Sequence, residues 1–379
     1  MLTQLTVKNF KCFTNLRMGF ARLTLLTGLN GAGKSTSIQP LLLLAQASRQ
    51  GANPAKLPLN GSLTRLGSAG DIAPTKGQPE FLIEAGNDKI GWRLSAVAGE
   101  RSLAISNASA PGPFTQAAEW QDTVWPPGLG QAHDPARTYS VRSSLAKLIY
   151  IGATRASQQE VYPYPDVDAD IQGDVGSSGE YAPYWYDRMV DEYVDPKEAN
   201  PATLRKRLDD LLSSLFAGAQ ANVTAIPQSS SFALRFRIGE SNEWRRPANV
   251  GFGLSYSFPI LVSLLTSRPG QTLIIDSPEA HLHPSAQSTM GRILANLAAQ
   301  GIQVIVETHS DHLLNGVRLA VKNKALSHKD VSIHFFGGVE GAQHGVTSPT
   351  MDREGNINEW PSGFFDQNER DLAQLTGWS

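Results

Sequence analysis

The chain has 379 residues, of which 41% are hydrophobic, and its formal net charge is −2. This composition allows a large folded core, and the balance of 33 basic and 35 acidic residues excludes a generally basic surface for nucleic acid. The single cysteine, Cys12, excludes an intramolecular disulfide. The longest apolar runs, Leu41–Ala45 and Ile260–Leu265, are far shorter than the roughly 20 residues of a membrane span, and no cleavable signal is present. We therefore expect a cytoplasmic protein with no membrane partner.

The first fifty residues predict strand, turn, strand, loop and helix. Apolar positions that we expect in the core are Leu2, Leu5, Val7, Phe10 and Phe13. The apolar run Leu23–Thr27 then predicts a buried strand, and the leucine-rich segment Ser37–Gln46 predicts the helix that follows.

Between this strand and helix, residues Gly28–Thr36 match the phosphate-loop pattern GxxxxGK[ST]. Glycines let backbone N–H groups curl around a phosphate, Lys34 would reach the β- and γ-phosphates, and the Ser35 hydroxyl would bind Mg²⁺. A glycine-rich turn with an incidental lysine is the structural alternative. The pattern predicts ATP and Mg²⁺ as cofactors, and the nucleotide-binding residues would be Gly28, Asn30, Gly31, Gly33, Lys34, Ser35 and Thr36.

The middle of the chain carries weaker signals. Residues 81–94 predict a hairpin around a turn at 86–88, residues 106–138 predict a surface loop, and residues 148–151 predict a strand. Residues 158–191, rich in Tyr, Pro, Gly and Asp, predict irregular structure. Leucines at helical spacing over 201–216 predict a helix with a solvated basic face.

Three alternating acids in this region, Asp166, Asp168 and Asp170, have the spacing of a calcium loop. Ile171 and Ser177 occupy the positions where such a loop needs Gly and Glu. The calcium interpretation is therefore disfavoured.

From residue 272 onward, strands and helices are predicted in alternation. Apolar runs predict strands at Thr272–Asp276, 301–306 and Val331–Phe336, and amphipathic spacing predicts helices at Ser285–Ala299 and Asp311–Lys324. This alternation indicates a parallel sheet.

Two strand ends in this region carry groups suited to a nucleotide site. Asp276 ends an apolar strand, which presents a carboxylate to Mg²⁺ beside a phosphate loop, so we predict Ser35 and Asp276 as magnesium ligands. A capping aspartate is the structural alternative. His309 follows the next strand, at the edge where ligand groups gather in open α/β sheets.

These motifs, in this order, resemble the ABC-type ATPases of the RecF, SMC and OLD class. More narrowly, the chain is similar to short stand-alone bacterial AAA-family ATPases found in phage-defence loci. The segments that carry the resemblance are Lys8–Phe13, Gly28–Thr36, Asp276–Pro284, Glu307–His312 and Trp360–Asp366. Residues 95–200 carry little of it.

The resemblance implies an α/β fold: a P-loop ABC-type ATPase with a mainly parallel sheet, an N-terminal antiparallel β subdomain and an inserted lid or helical region. The ATPase core would comprise residues 1–50 and 246–379. Residues 51–245 would continue the β subdomain and form the insertion.

In this class two nucleotide domains sandwich ATP, and a signature segment of each completes the site of the other. The candidate here is Asn249–Tyr256, in which Gly253 and Ser255 would contact the γ-phosphate held by the second subunit. A glycine-rich turn that caps a helix is the structural alternative. The resemblance thus implies a homodimer through the ATP sites.

Members of the class usually have a catalytic glutamate directly after the magnesium-binding aspartate, where this chain has Ser277. A serine cannot act as that base at neutral pH. Glu279 is the first candidate for the missing carboxylate and Glu307 the second, and slow or absent hydrolysis is the third reading. By resemblance, His309 would sense the γ-phosphate.

Four histidines also have spacings that permit a zinc cluster: His281, His283, His309 and His312. The first two lie in the segment that normally joins the two ATP domains of this class. This position disfavours zinc.

The resemblance implies an ATPase switch that dimerises around ATP and controls an effector protein, in phage defence or DNA metabolism. Two alternatives stay open: a nucleotide-gated scaffold with little hydrolysis, which Ser277 motivates, and a DNA-repair ATPase of RecF type. An OLD-type nuclease is disfavoured because too few residues follow His309 for its nuclease domain, and a GTPase because no Asn-Lys-x-Asp motif occurs. A transporter motor is disfavoured because the sequence lacks a Leu-Ser-Gly-Gly-Gln signature. The net charge does not indicate DNA as a partner.

Overall fold

The computed structural model of the chain describes residues 1–50, 56–72, 77–86, 88–109, 115–116, 124–125, 140–156, 158–165, 171–195, 200–239, 243–340, 343–361 and 367–376. The aspartates of the disfavoured calcium loop and the segment 362–366 lie outside these residues. None of the described helices combines the length and the apolar character needed to cross a bilayer.

The strands of the described residues are, in chain order, β1 (Gln4–Phe10), β2 (Phe13–Gly19), β3 (Leu23–Gly28), β4 (Lys56–Pro58), β5 (Glu80–Ala85), β6 (Asp88–Ser95), β7 (Ser102–Ser109), β8 (Thr115–Gln116), β9 (Ile149–Ile151), β10 (Val161–Pro163), β11 (Gln220–Ala225), β12 (Ser231–Arg237), β13 (Thr272–Asp276), β14 (Gln303–Glu307), β15 (Val331–Glu340) and β16 (Gln343–Thr347). The α-helices are α1 (Lys34–Gln50), α2 (Ala69–Ile72), α3 (Ser140–Ala146), α4 (Ala182–Met189), α5 (Leu204–Leu215), α6 (Phe252–Thr266), α7 (Pro284–Ala299), α8 (Asp311–Lys322) and α9 (Gln367–Thr376).

The chain forms two compact units, and the first comprises residues 1–148, 329–351 and 357–379. In this unit β2, β1, β5, β6, β7 and β4 form an antiparallel sheet in that order, with β8 paired to β7. The predicted hairpin is β5–β6, in which Ile83 pairs with Ile90. Strand β3 pairs in parallel with β15, which in turn pairs antiparallel with β16. The predicted N-terminal antiparallel sheet is confirmed.

The core of the first unit contains the apolar residues that the sequence assigns to it. The five predicted core side chains are at most 3% exposed: Leu2, Leu5, Val7, Phe10 and Phe13. Phe10 packs edge-to-face against Phe81, with ring centroids 5.3 Å apart. The surface loop predicted from residue 106 is wrong at its start, because β7 continues to Ser109 and buries Ala108.

The second unit comprises residues 149–328 and 352–356. Strands β9, β13 and β14 lie side by side in that order and are all parallel, so that Ile275 pairs with both Ile151 and Val306. Strands β10, β12 and β11 form a separate antiparallel sheet. The predicted strand–helix–strand repeat and its parallel pairing are confirmed.

Residues 158–191 are more regular than their composition predicts. They contain β10 and α4, and Trp185 and Tyr186 of α4 are buried. Pro183 lies in the first turn of α4, where its missing N–H costs nothing. The prediction of irregular structure is therefore wrong at β10 and α4, where buried aromatic side chains stabilise short regular elements, whereas residues 171–181 contain no helix or strand.

Candidate nucleotide site

The phosphate loop is the turn between β3 and α1, both in the first unit. Gly28, Gly31 and Gly33 have φ angles of 127°, 72° and 101°, in the region that favours glycine. A Cβ atom at Gly28 would overlap the carbonyl oxygen of Phe336, and one at Gly33 would lie 2.6 Å from the Phe13 ring. The loop conformation therefore requires glycine at both positions.

Lys34 is the first residue of α1, and its ammonium group is turned back into the loop. Its Nζ atom donates to the carbonyl oxygens of Gly28 at 2.9 Å and Leu29 at 2.7 Å, and only 4% of the residue is exposed. Both acceptors are neutral, so a phosphate oxygen would give this cation a stronger, charge-assisted bond. The Ser37 N–H donates to the Gly33 carbonyl, which places the N–H groups of the first turn, including those of Ser35 and Thr36, at the helix N-terminus.

The lone cysteine contacts the same loop. Cys12 forms a hydrogen bond with Thr36, and burial raises the pKa of its thiol. A Cβ atom at Gly33 would lie 2.9 Å from its Sγ atom. Cys12 is thus a packing neighbour of the loop.

In the second unit, Asp276 ends β13 with a half-buried carboxylate. Its Oδ1 atom accepts a hydrogen bond from the Ser277 hydroxyl at 2.8 Å. Ser277 has a φ of 49°, and its N–H donates to the Glu307 carbonyl at 2.8 Å. The chain therefore turns sharply after Asp276, in a conformation that is unusual for a residue with a side chain.

Two of the predicted catalytic residues, Glu279 and His309, are in direct contact. The Oε1 atom of Glu279 accepts a hydrogen bond from the backbone N–H of His309 at 2.8 Å. Its Oε2 atom is buried and has no hydrogen-bond partner within the described residues. Burial raises the pKa of Glu279, and hydrogen bonds from the His309 and Glu279 backbone and from the Thr308 side chain, together with the charge of Arg155, oppose this in part. The His309 side chain is exposed.

The third predicted catalytic residue, Glu307, occupies a different position. It ends β14, pairs in register with Asp276 and is 5% exposed. The structure thus gathers Asp276, Glu279, Glu307 and His309 at the carboxyl ends of two adjacent parallel strands, as the strand pattern predicts.

The sequence prediction missed Arg155 at this edge. It follows β9 by four residues, is 5% exposed, and donates through Nη2 to the carbonyl oxygens of Asp276 and Ser277. Its guanidinium group also lies 5.5 Å from the Tyr256 ring centroid. Burial lowers the pKa of Arg155 to about 10, and the nearby carboxylates of Asp276 and Glu279 oppose this effect, so the group stays charged at neutral pH. The sequence shows only a basic residue after a predicted strand, which by itself does not indicate this role.

The predicted signature segment forms the start of α6, with Gly251 as the N-cap. Ser255 is 4% exposed, and its hydroxyl has no hydrogen-bond partner in the described part of the chain. A Cβ atom at Gly253 would lie 2.6 Å from the His281 carbonyl oxygen. The exposed residues at this helix N-terminus are Gly251 and Phe252.

Three of the four histidines of the zinc alternative have separate contacts. His281 stacks on Phe252 with ring centroids 5.3 Å apart, His283 caps α7 through the Ser285 N–H, and His312 lies 3.7 Å from Asp311. Among the residues that the structure describes, no three His, Cys, Asp or Glu side chains are grouped so that they could hold a metal ion. A Mg²⁺ ion at Asp276 would take its remaining ligands from the nucleotide and from water, as it commonly does.

Two segments of the chain match known protein families. Residues 171–315 match the family described as an AAA domain, putative AbiEii toxin, Type IV TA system. Residues 326–375 match a family described as a protein of unknown function, DUF3696. Comparison with curated proteins gave no match.

The solved structures to which this chain is similar include head domains of SMC proteins. An SmcHead bound to the C-winged helix domain of ScpA matches with a TM-score of 0.53 at 15% identity, over 93% of this chain and 98% of that one. The SMC head domain from Thermotoga maritima gives 0.44 at 14% identity, over 91% and 98%. An Smc head domain with an extended coiled coil, bound to the C-terminal domain of ScpA derived from Pyrococcus furiosus, gives 0.49 at 12% identity, over 99% of both chains. The first match shows that the chain has the fold of an SMC-type ATPase head, which confirms the predicted fold class.

Proposed function

From the AAA-domain match and the SMC-head fold, we propose that the chain is an ATPase that binds MgATP and acts as a dimeric switch. The observation that carries this proposal is the phosphate loop. Its glycines adopt backbone angles that favour glycine, Lys34 is buried within it, and a helix N-terminus follows directly. These features together form a cradle for a triphosphate.

Ser35 and Asp276 are the proposed protein ligands of Mg²⁺. Ser35 lies in the first turn of α1, and Asp276 presents a half-buried carboxylate at the end of β13. Hydroxyl and carboxylate oxygens are hard ligands that suit Mg²⁺. The resemblance pairs these two residues, because the motifs that contain them occur in the order found in the class. The bound ion would neutralise phosphate charge during transfer.

Glu279 is the proposed carboxylate that orients the attacking water. Its Oε1 atom is fixed by the His309 N–H, which leaves the buried Oε2 atom for a water molecule. The raised pKa makes it a better proton acceptor than an ordinary glutamate. His309, whose backbone contacts this carboxylate, is the proposed γ-phosphate sensor, and Glu307 is the second candidate for the base.

The switch would work through a second copy of the chain. We propose that ATP closes a homodimer through the signature segment at the start of α6, with Gly253 and Ser255 near the γ-phosphate, and that product release reopens it. Control of an effector protein in phage defence is the proposed output, which rests on the resemblance to ATPases of phage-defence loci. The SMC head, whose solved structure includes a bound ScpA domain, is a precedent for a partner.

Replacement of Lys34 by alanine tests the proposal directly. Wild-type protein should release phosphate from ATP, and Lys34→Ala should lower nucleotide affinity by about 100-fold or more because a charge-assisted phosphate contact is lost. Lys89→Ala, which removes an exposed lysine of the first unit, is the matched control and should retain activity. An unchanged affinity in Lys34→Ala, measured with a fluorescent ATP analogue, would reject the loop as the nucleotide site.

Ser277 favours a second candidate function, a nucleotide-gated scaffold. Its hydroxyl donates to Asp276, so it supplies no base after the magnesium-binding residue. Tight ATP binding without turnover, even when DNA and candidate partners are supplied, would support the scaffold over the enzyme.

A further inference from the structure

Arg155 is placed at the acidic end of the parallel strands by its own strand. Strand β9 runs parallel to β13, with Ile151 paired to Ile275, so the residues after β9 emerge at the edge where Asp276 lies. The loop after β9 is anchored by its backbone, because the Gly152 N–H donates to Ser177 and the Ala156 N–H donates to Ser178, both at 2.8 Å.

The contacts of Arg155 are concentrated on the turn that follows β13. Its Nη2 atom donates to the carbonyl oxygens of both residues of that turn, Asp276 and Ser277. The turn depends on the left-handed conformation of Ser277, which is unfavourable for a non-glycine residue. Two bonds from one cation to consecutive carbonyl groups oppose its relaxation.

The other donors of Arg155 make no hydrogen bond to the part of the chain that the structure describes. Its Nε and Nη1 atoms are buried and have no hydrogen-bond partner within the described residues. A guanidinium group has five N–H donors, and an arginine that serves only to fill the core normally satisfies them. No described carboxylate forms an ion pair with it within 4.0 Å. The guanidinium group therefore binds the turn through Nη2, and its remaining donors face polar groups that would bind at this edge of the sheet.

We propose that Arg155 is a positioning residue of the ATP site, which fixes the Asp276–Ser277 turn and thereby aims the Asp276 carboxylate at Mg²⁺. The inference rests on the proposed function. It assigns a role to the segment after β9, which none of the sequence motifs covers.

The test is the magnesium dependence of nucleotide binding by the full chain. Affinity for a fluorescent ATP analogue is measured with Mg²⁺ and with EDTA, and the ratio is the magnesium gain. Arg155→Ala should lower this gain about tenfold while the affinity in EDTA stays within about twofold, because only the carboxylate is misdirected. Arg155→Lys keeps the charge but not the planar guanidinium group, so its magnesium gain should lie between those of wild type and Arg155→Ala.

Two further variants separate positioning from general damage. Asp276→Asn should abolish the magnesium gain, and Arg155→Ala combined with Asp276→Asn should equal Asp276→Asn alone if Arg155 acts through Asp276. Arg318→Lys is the matched control, since Arg318 also donates to a backbone carbonyl of this unit, that of Gly355, and it should keep the full gain.

The outcomes distinguish the inference from the proposed function. If wild type shows a magnesium gain that Asp276→Asn removes but both Arg155 variants retain, the inference is overturned and the ATP site stands. If Arg155→Ala does not fold, as judged by thermal unfolding, Arg155→Lys decides: a reduced gain supports the inference and an unchanged gain overturns it. If wild type has no magnesium gain, or Lys34→Ala binds as wild type does, the proposed function fails and the inference fails with it.

Discussion

At the scale of single residues, Glu279 and Glu307 are the two candidates for the proposed catalytic carboxylate, and their surroundings differ. Glu279 lies on the segment after the turn, where one carboxylate oxygen is fixed by the His309 N–H. Glu307 is the last residue of β14 and uses its carbonyl to hold the Ser277 N–H. A water-activating carboxylate must be fixed and yet keep one oxygen for water, and Glu279 meets both conditions.

We therefore predict that Glu279→Gln lowers the rate of phosphate release by about 100-fold or more and leaves ATP affinity nearly unchanged. The amide oxygen can still accept the His309 N–H, so the local structure is kept while the base is lost. Phosphate release at saturating ATP measures the effect, with Glu307→Gln as the comparison. Full turnover in Glu279→Gln together with a large loss in Glu307→Gln would transfer the role to Glu307.

Sequence alone can identify residues whose proposed role follows from a local sequence pattern. The phosphate loop has fixed spacing, and Asp276 ends an unmistakable apolar strand. Arg155 could not be found this way, because its contacts are with backbone carbonyls 121 and 122 residues further along the chain. Backbone acceptors exist at every residue, so no side-chain pattern indicates them. The burial of Ser255 was equally hidden, since it depends on how α6 packs.

At the scale of elements, α7 and α8 of the second unit meet through two glycines. A Cβ atom at Gly291 would overlap the Leu313 carbonyl oxygen, and one at Gly316 would overlap the Ser288 carbonyl oxygen. Close backbone approach of this kind tolerates no side chain, because the obstacle is main chain that cannot rotate away. This contact supports the start of α8, which directly follows His309 and Ser310.

Gly316→Ala should therefore destabilise the protein by about 1–3 kcal/mol, although alanine is the better helix former. Leu319→Ala is the control on the same helix: this side chain is 44% exposed, and its loss should cost much less. Denaturant unfolding compares the two variants. Equal stability of wild type and Gly316→Ala would mean that the helices can separate without cost.

His334 of β15 should make the stability of the protein depend on pH. It is 2% exposed, its Nε2 atom donates to the Gly19 carbonyl at 2.7 Å, and its Nδ1 atom lies 2.8 Å from the Ser348 hydroxyl. Burial lowers the pKa of His334, so it stays neutral in the folded state where the unfolded chain already binds a proton. The free energy of unfolding should thus fall as pH drops from about 6.5 toward the lowered pKa, and should not change above it.

His334→Gln should remove this part of the pH dependence, because glutamine keeps a donor for Gly19 but does not titrate. Denaturant unfolding of both proteins at about pH 7.5 and pH 5.5 measures the difference between their pH slopes. If the two proteins lose the same free energy on acidification, His334 titrates normally in the folded state.

Element prediction succeeded where hydrophobic periodicity was strong and failed where composition misled. The strand–helix repeat after residue 272 was predicted within a few residues because its apolar stripes are continuous. The helix α4 was missed because Pro, Gly and Tyr suggest loops, although Pro183 starts this helix and Tyr186 is buried within the unit. Composition describes a segment in isolation, whereas the helical conformation of α4 depends on packing against neighbouring elements.

At the scale of the whole molecule, the proposed switch needs a second copy of the chain, whose signature segment at the start of α6 would complete each ATP site. The signature residues Gly253 and Ser255 are buried, so a large substitution there would report on folding more than on contact. Phe252, which is 45% exposed at the same helix N-terminus, is the better probe of a surface that closes on ATP.

We predict that MgATP doubles the mass of the chain in light scattering, measured on the Glu279→Gln variant so that ATP persists. Phe252→Arg should prevent this association while leaving ATP binding to each subunit intact, because a bulky cation at the helix N-terminus opposes both close packing and the positive end of the helix dipole. Tyr193→Arg is the control, since Tyr193 is 55% exposed in the same unit but outside the signature segment, and it should associate normally. Lys34→Ala should remain monomeric at all ATP concentrations. If the measured mass does not change with ATP, or if Phe252→Arg associates as the parent does, α6 is not the surface through which ATP joins two subunits.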